Sequence, residues 1–238
     1  MNLKGRSAFV TGATRGIGSA IAARLHAAGA HVIGTGTAEQ AACPAHVHEY
    51  LRADFSSLDG IRSCAERVRE MAPDILINNA GINKIAPFEE IGLDDFLRIQ
   101  QVNVVAPFAL CQAVLQGMKS RAWGRIVNIG SIWGKISKEQ RASYSASKFG
   151  LDGLTAALAI EHARNGILAN CVAPGFTDTE LTRGVLGESG IARIVANVPI
   201  GRLAEPDEIA RLVVWLASDE NTYVTGQNIA IDGGFTRA

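Results

Sequence analysis

The chain alternates short apolar runs with longer segments of helical periodicity, and this alternation constrains the fold more than any other feature. Candidate strands span residues 7–11, 31–35, 48–53, 74–78, 124–130, 167–173 and 228–232. Most of these runs are continuously apolar, which is typical of parallel strands covered on both faces. Helical patterns lie between them, at 16–28, 57–71, 93–119, 143–164 and 205–217. The alternation predicts an α/β fold, a doubly wound parallel sheet with helices on both faces.

The length of 238 residues fits one Rossmann-type domain of this kind over residues 1–238. Hydrophobic residues make up 47% of the chain and charged residues 19%, a composition that excludes intrinsic disorder. Residues 176–199 form the longest irregular connection and contain Gly184, Gly187 and Gly190. Because this segment follows the carboxyl end of a predicted strand, we expect it to be a lid over a ligand site.

Charge and cysteine usage exclude several classes of function. The 23 basic and 23 acidic side chains cancel, whereas a nucleic-acid-binding protein needs a basic surplus. No apolar run reaches the length of about 18 residues that a membrane span requires, and we expect no signal peptide. The four cysteines lack the spacing of a metal or redox site, so we expect reduced thiols in a cytoplasmic protein.

A glycine-rich turn, TGATRGIG (11–18), follows the first predicted strand and precedes a helix. Gly12, Gly16 and Gly18 would allow a tight turn and a close approach of the backbone to a pyrophosphate at the helix N-terminus. A purely structural strand–helix connection remains the alternative to a dinucleotide site. The position of the turn, directly after the first strand, favours the dinucleotide.

The end of the second strand indicates which dinucleotide is preferred. NAD sites of this type carry an acidic residue there for the ribose 2′-hydroxyl, but Gly34 to Thr37 contain no acid and Glu39 comes later. Arg15 in the glycine turn could instead bind a 2′-phosphate. We therefore expect NADP(H), the alternative being that Arg15 is only an exposed loop residue.

Ser131, Tyr144 and Lys148 form a second candidate constellation. Ser131 ends the fifth predicted strand, and Tyr144 and Lys148 stand four residues apart, on one face of the following helix. A neighbouring ammonium stabilises a phenolate, which makes a tyrosine usable as a general acid and base near neutral pH. Ser131 could hold a substrate oxygen beside it. An ordinary amphipathic helix surface is the alternative interpretation of the tyrosine–lysine pair.

Together these motifs resemble the short-chain dehydrogenase/reductase family over nearly the entire chain. The glycine turn, NNAG (78–81), Asn103, Ser131, YSASK (144–148) and Pro174-Gly175 match its motifs in order. By this resemblance Tyr144 protonates a carbonyl oxygen as hydride arrives, Ser131 positions that oxygen, Lys148 binds the nicotinamide ribose, and Asn103 holds a water of the proton relay. The resemblance implies these residues at the cofactor: Gly12, Thr14, Arg15, Ile17, Thr37, Asp54, Phe55, Asn79, Gly81, Lys148 and Thr177.

Within the family the chain is most similar to bacterial 3-oxoacyl-[acyl-carrier-protein] reductases, as in GRIVNIGS (124–131) and IGRLAEPDEIA (200–210). The resemblance implies NADPH-dependent reduction of a 3-oxoacyl thioester, with acyl carrier protein as a partner. The arginines that dock this carrier are replaced by Ala122 and Asn165, and Arg121 and Arg164 lie one residue earlier. A sugar, small ketone or secondary alcohol therefore stays open as substrate, and so does a non-catalytic NADP-binding regulator.

Several other polar and aromatic side chains have simpler interpretations. His46 and His48 are predicted to be surface histidines, since no further metal ligand is near in sequence and no metal site is expected. Cys171 is predicted to be a core residue. Trp133 could line a substrate pocket or simply pack at the surface. Lys135, Lys138, Glu139 and Arg141 are predicted to be a solvated rim, one member of which could touch substrate.

Apolar residues on the two long predicted helices exceed what one sheet face can cover. They include Phe96, Val104, Phe108 and Leu115 on the first, and Leu151, Leu154, Leu158 and Ala159 on the second. The final strand, near 228–234, would also be an edge that is safer when covered. With the family resemblance, these features predict a homotetramer with two-fold axes.

Overall fold

A computed structural model describes residues 1–38 and 43–238, and within them seven parallel strands form one sheet. The strands β1 to β7 are Ser7–Val10, His31–Gly36, Glu49–Arg52, Ile75–Asn78, Gly124–Ile129, Ile167–Pro174 and Asn228–Ile231. Their spatial order is β3-β2-β1-β4-β5-β6-β7. The predicted doubly wound parallel sheet is confirmed.

Seven α-helices in the described residues connect these strands. Helices α1 to α7 are Gly16–Ala27, Leu58–Met71, Leu93–Gln100, Ala106–Ser120, Ala142–His162, Glu180–Val195 and Pro206–Leu216. The sequence predicted one helix over 93–119, and the structure divides it by a π-helical turn at Gln101–Val105. Helix α6 lies inside the segment predicted as an irregular lid, and Gly187 (φ 61°, ψ 176°) interrupts it.

The core consists of two layers, one on each face of the sheet. Ala8 and Val10 of β1 pack on one face with α1 and α7, whereas Phe9 packs on the other with α2, α4 and α5. The same alternation separates Leu76 from its neighbours in β4, because successive side chains of a strand point to opposite faces. Both faces are covered by helices, which explains the continuously apolar strands.

The winding of the sheet reverses between β1 and β4, which lie side by side although β2 and β3 separate them in sequence. In open α/β sheets, ligands bind in the crevice beyond the carboxyl ends of the strands at such a switch point. The glycine turn follows β1 and the NNAG motif follows β4, so both motifs meet there. None of the helices in the described part of the chain is long and apolar enough to cross a membrane.

Candidate active site

The glycine turn after β1 has a backbone that other residues could not readily adopt. Gly12 and Gly16 have φ angles of +66° and +55°, in the region that glycine enters at little cost. A Cβ atom on Gly18 would lie 2.1 Å from the carbonyl oxygen of Gly12. The turn therefore needs glycine at these positions, and it brings backbone N–H groups to the start of α1.

Asn79 and Thr11 hold this turn against the end of β4. The Asn79 side-chain amide donates to the carbonyl oxygens of Thr11 (2.9 Å) and Gly12 (3.1 Å). The Thr11 hydroxyl accepts hydrogen bonds from the backbone N–H groups of Asn79 and Ala80, each at 2.9 Å. Asn79, expected at the adenosine ribose, thus also shapes the backbone of the phosphate-binding turn.

A cavity of about 390 Å³ opens between the glycine turn and the ends of β2, β3 and β4. Most of the residues expected at the cofactor line it, namely Gly12, Thr14, Arg15, Ile17, Thr37, Asp54, Phe55, Asn79 and Gly81. Ser56, Arg98, Val102, Thr179 and Glu180 line it as well and were not expected from the sequence. The predicted residues Lys148 and Thr177 lie outside this cavity.

Arg15 is one of the charged residues that line the cavity. Its side chain is exposed, and it makes no ion pair with any residue of the described ranges 1–38 and 43–238. Hydrogen bonds from Ser56 lower the pKa of the nearby Asp54 carboxyl below its ordinary value. Phe55 beside it is buried and offers an apolar surface. Glu39, the first acid after β2, lies outside the described residues.

Ser131, Tyr144 and Lys148 meet where β5 ends against α5. The Lys148 ammonium is buried, donates to the carbonyl oxygen of Ile129 at 2.7 Å, and lies 5.5 Å from the centre of the Tyr144 ring. Ser131 caps the 3₁₀ turn Ile132–Gly134, its hydroxyl accepting from the N–H of Trp133 at 3.2 Å. The structure therefore packs the turn that begins at Ser131 against the helix that carries Tyr144 and Lys148.

Gly134 allows the 3₁₀ turn that Ser131 caps to approach α5 closely. A Cβ atom on Gly134 would lie 2.8 Å from the Lys148 carbonyl oxygen and 3.0 Å from the Lys148 Cβ atom. Any larger residue would push the turn that Ser131 caps away from α5. The sequence does not indicate that Gly134 has this role, since nothing in its local pattern marks a close approach to another element.

Asn103 lies at the centre of the π-helical turn and is buried. Its Oδ1 accepts from the N–H of Ile82 at 2.9 Å, and its Nδ2 donates to the Ile82 carbonyl at 2.9 Å and to the Ser147 hydroxyl at 3.0 Å. The side chain thus fastens the loop after β4 to the helix that carries Tyr144. π-Helical turns inside α-helices frequently mark functional sites.

A buried chain of polar side chains, missed in the sequence, connects the sheet to α5. The Asn78 amide donates to Asn128 Oδ1 (2.8 Å), the Asn128 amide donates to the Thr155 hydroxyl (2.8 Å), and that hydroxyl donates to the Leu151 carbonyl (2.7 Å). This chain fixes the rotation of the helix that carries Tyr144 and Lys148. The NNAG motif includes Asn78, but nothing in the sequence indicates its partners.

Two threonines after β6 occupy different positions. Thr177, expected at the nicotinamide, is buried, donates to the Gly175 carbonyl at 3.3 Å, and pairs through its backbone with Ala204. Thr179 lines the cofactor cavity and caps α6 by accepting from the N–H of Thr182 at 3.2 Å. The threonine at the start of a helix was the available signal for this residue.

The side chains that the sequence analysis set aside have ordinary structural positions. Burial raises the pKa of the Cys64, Cys111 and Cys171 thiols to about 12, so these thiols are unreactive core groups. Burial, followed by the nearby His26, lowers the pKa of His46, whose ring lies 3.3 Å from the Ser19 hydroxyl. No group of three or more potential metal ligands occurs among the described residues.

A model of the family described as Enoyl-(Acyl carrier protein) reductase matches residues 12–236. The chain is 42% identical over 243 residues to the 3-oxoacyl-[acyl-carrier-protein] reductase of Escherichia coli, covering 98% of both chains. The chain belongs to the short-chain dehydrogenase/reductase family. Members of this family are oxidoreductases, and the predicted family membership is confirmed.

Solved structures of this family superpose closely on the chain. A candidate NAD(P)-dependent gluconate 5-dehydrogenase from Beutenbergia cavernae, with bound NADP, has a TM-score of 0.95 and 37% identity, over 100% of this chain and 99% of that one. A gluconate 5-dehydrogenase from Burkholderia cenocepacia in complex with NADP and tartrate has a TM-score of 0.91 and 32% identity, over 100% and 97%. The same backbone thus supports enzymes named for different substrates.

Proposed function

We propose that the protein is an NADP(H)-dependent carbonyl reductase whose substrate is a 3-oxoacyl thioester. The observation that carries the proposal is the position of Lys148 between the two parts of the site. A Cβ atom on Gly81, which lines the cofactor cavity, would lie 3.6 Å from the Lys148 ammonium nitrogen, which is itself 5.5 Å from the Tyr144 ring centre. A dinucleotide in the cavity would therefore end beside the proton-donating residue.

The residues lining the cavity fit NADP(H). The glycine turn presents backbone N–H groups for the pyrophosphate, and Arg15 supplies an exposed cation for the 2′-phosphate. Gly81 leaves open the space next to Lys148 and Asn103, which any side chain would fill. When bound, the cofactor supplies a hydride to the carbonyl carbon. The NADP-containing relatives support this choice of cofactor.

The chain's own residues supply the proton and position the reacting oxygen. Tyr144 donates its hydroxyl proton to the carbonyl oxygen, which becomes the alcohol oxygen, and Ser131 donates a hydrogen bond to that oxygen. The positive charge of Lys148 stabilises the phenolate that Tyr144 becomes, and the proton is then replaced from solvent. Asn103 is a positioning residue, because its amide holds Ile82 and Ser147 around these groups.

The structure bears on delivery of the substrate by acyl carrier protein. Arg121 is paired with Asp74 at 3.0 Å and donates to the Pro73 carbonyl at 3.1 Å, so its guanidinium is engaged inside the chain. Arg164 is exposed and available to an acidic partner. Docking of acyl carrier protein on a complete pair of arginines is therefore disfavoured. A thioester that is not attached to a carrier protein, or another small carbonyl compound, suits this surface better.

The gluconate 5-dehydrogenases among the relatives favour a hydroxy or oxo acid as the second candidate substrate.

Three further features belong to this proposal. Residues 1–238 form one domain, in which the segment 176–199, with α6, is the lid over the substrate. The protein assembles as a homotetramer. It works in the cytoplasm, where its four free cysteines stay reduced.

An NADPH-oxidation screen tests the proposal. Acyl-carrier, acyl-CoA, keto-sugar and simple ketone substrates are compared with the parent enzyme and with Tyr144→Phe as the blank. We expect turnover of acetoacetyl thioesters that disappears in the variant. Tight NADPH binding without reduction of any carbonyl compound would instead support the non-catalytic regulator.

A further inference from the structure

A second cavity, of about 490 Å³, lies beyond Ser131 and is separate from the cofactor cavity. One side is formed by the loop between Ser131 and Tyr144, and the other by the lid helix α6 through Leu186 and Ile194. Trp133, two residues after the proposed catalytic serine, belongs to its lining. The cavity therefore borders the turn that Ser131 caps, and a substrate whose carbonyl is held by Ser131 would extend towards it.

An aromatic cluster forms the apolar wall of this cavity. The rings of Trp133, Phe176 and Phe235 stand edge to face, with centroid distances of 6.1, 6.2 and 5.1 Å. They come from three separate segments, after β5, after β6 and near the C-terminus. Such interlocked rings hold a rigid surface, against which the carbon skeleton of a substrate can lie.

Two cations, Arg141 and Lys138, also line this cavity. Lys138 is exposed and lies 3.4 Å from Glu139, so its charge is partly balanced in solvent. Arg141 is half-buried, and its Nε atom is fully buried without a hydrogen-bond partner in the protein. A buried donor of a charged group that lacks a partner is costly, which marks Arg141 as prepared for an acceptor from outside the chain.

The carboxylates nearby do not fulfil that need. Glu139 pairs with Lys138, and Ala238, the C-terminal residue, lines the cavity but forms no ion pair with Arg141 within the described part of the chain. Arg141 lies one helical turn before Tyr144, and the Ser145 N–H donates to its carbonyl at 2.7 Å. Arg141 is the N-cap of α5, the helix that carries Tyr144 three residues later, so an anion bound by Arg141 would lie close to a carbonyl group at Tyr144.

We propose that this cavity is a substrate subsite for a carboxylate, with Arg141 as the residue that selects for it and Lys138 as an outer cation. The substrate class is a short oxo acid or hydroxy acid whose skeleton packs on the aromatic wall. A planar guanidinium matches a carboxylate through paired hydrogen bonds. This inference rests on the proposed reductase activity. Of the two candidate substrates it favours the hydroxy or oxo acid over the 3-oxoacyl thioester, because a thioester has no free carboxylate for Arg141 to bind.

Matched substrates that differ only in charge test the subsite. Acetoacetate and methyl acetoacetate present the same ketone with and without a carboxylate, and kcat/KM is measured for each with NADPH. We expect acetoacetate to be preferred, and Arg141→Gln to reduce this preference about 10- to 100-fold, the value of a charge-assisted pair. Lys135→Gln is the matched control, because Lys135 lies in the same loop but donates to the Asn228 carbonyl instead.

Binding without turnover separates this inference from the proposed function. Acetoacetate is titrated calorimetrically into Tyr144→Phe loaded with NADP⁺, with and without Arg141→Gln. Acetoacetate binding that is lost in the Arg141→Gln variant supports the subsite. It does so even if the parent enzyme reduces no carbonyl compound, a result that would refute the proposed reductase activity but not the subsite. The subsite would be overturned if Arg141→Gln lowered kcat/KM equally for acetoacetate and methyl acetoacetate. It would also be overturned if the variant lowered the melting temperature but kept the preference for the acid, since Arg141 would then have a structural role.

Discussion

Tyr144 differs from phenylalanine by one hydroxyl group, and the proposed proton transfer depends on that group. We expect Tyr144→Phe to bind NADPH as the parent does but to lose about 10²- to 10⁴-fold in kcat, the usual contribution of a general acid. Cofactor fluorescence measures binding, and NADPH oxidation measures kcat. Tyr223→Phe is the control, since it removes the same hydroxyl group from a tyrosine that lines neither cavity. A Tyr144→Phe enzyme that keeps more than about half the parent rate would remove this residue from the mechanism.

Arg15 is the residue on which the cofactor preference depends. Its exposed guanidinium at the cavity can reach a 2′-phosphate, which NADH lacks. We expect Arg15→Ala to raise the KM for NADPH about 10-fold or more, the value of a charge-assisted contact, and to leave the KM for NADH nearly unchanged. Arg62→Ala, on the exposed side of α2, controls for net charge. A parent enzyme that uses NADH as efficiently as NADPH would contradict the assignment.

At the scale of elements, the polar chain between the sheet and α5 makes a stability prediction. Thr155 is fully buried and both accepts from Asn128 and donates to Leu151. Thr155→Val keeps the side-chain shape but leaves the Asn128 amide without its partner, so we expect a loss of about 1–3 kcal/mol in the free energy of unfolding. Urea denaturation of both proteins at one concentration measures it. Thr222→Val, at an exposed position, is the control, and equal midpoints for the parent and Thr155→Val would refute the argument.

The start of α7 carries a pH-dependent cap. Hydrogen bonds from Arg202, followed by the Glu205 N–H, lower the pKa of Glu208 to about 2 from an ordinary value of 4.5. A carboxyl with a depressed pKa stabilises the fold above its unfolded pKa, and this contribution is lost as the pH falls from 4.5 towards 2.

We therefore expect Glu208→Gln to lower the free energy of unfolding by about 1 kcal/mol at pH 7, as for loss of a helix cap, and by less at pH 3. The modest value allows for solvent screening, because a third of the Glu208 side chain is exposed. Urea denaturation at both pH values measures the difference. Glu66→Gln on α2 is the control, and a difference between parent and variant that grows in acid would contradict the sign.

The sequence predicted elements better than it predicted their connections. Each strand was found within two residues, because continuous apolar runs leave little choice once both faces are covered. The π-helical turn at Asn103 was missed, because residues 101–105 contain no glycine or proline that would mark an interruption of the helix. Helix α6 was missed because Gly184, Gly187 and Gly190 resemble a loop, although only Gly187 has a non-helical backbone.

The catalytic constellation could be predicted, and the residues that support it could not. Ser131, Tyr144 and Lys148 carry recognisable spacing, so their meeting at one place follows from the order of strand and helix. Thr155 and Gly134 contribute through contacts with residues far away in sequence. Such contacts depend on how α5 packs, which no local pattern contains.

For the whole molecule, the exposed apolar surface differs from the one that the sequence predicted. Leu151 and Ala159 are buried within the chain's own core, whereas Phe108 is 49% exposed. Val105 and Phe149 are exposed near it, where Gly150 of α5 packs against Val104. These apolar residues of α4, the π-helical turn and α5 form the first patch.

A second patch lies at the other end of α5, near the edge strand β7. Ile160 is 82% exposed and Tyr223 is 94% exposed, and Gly226, which follows Tyr223 closely in sequence, packs on Ala159 next to Ile160. Large exposed apolar side chains that cluster in this way mark interaction surfaces. Covering β7 would also protect an open sheet edge. Two different patches allow two different two-fold interfaces, which together generate a tetramer.

We therefore expect light scattering to report a homotetramer of about 100 kDa, four times the chain mass of 25.2 kDa. Phe108→Arg places a charge in the first patch and Ile160→Arg places one in the second, so each variant should give a dimer of about 50 kDa by losing one interface only. Leu58→Arg, an exposed position at the start of α2, is the control and should stay tetrameric. A parent protein of 25 kDa at micromolar concentration would show that neither patch forms an interface. A parent protein that is a dimer, and that stays a dimer in the Ile160→Arg variant, would show that the first patch is the sole interface.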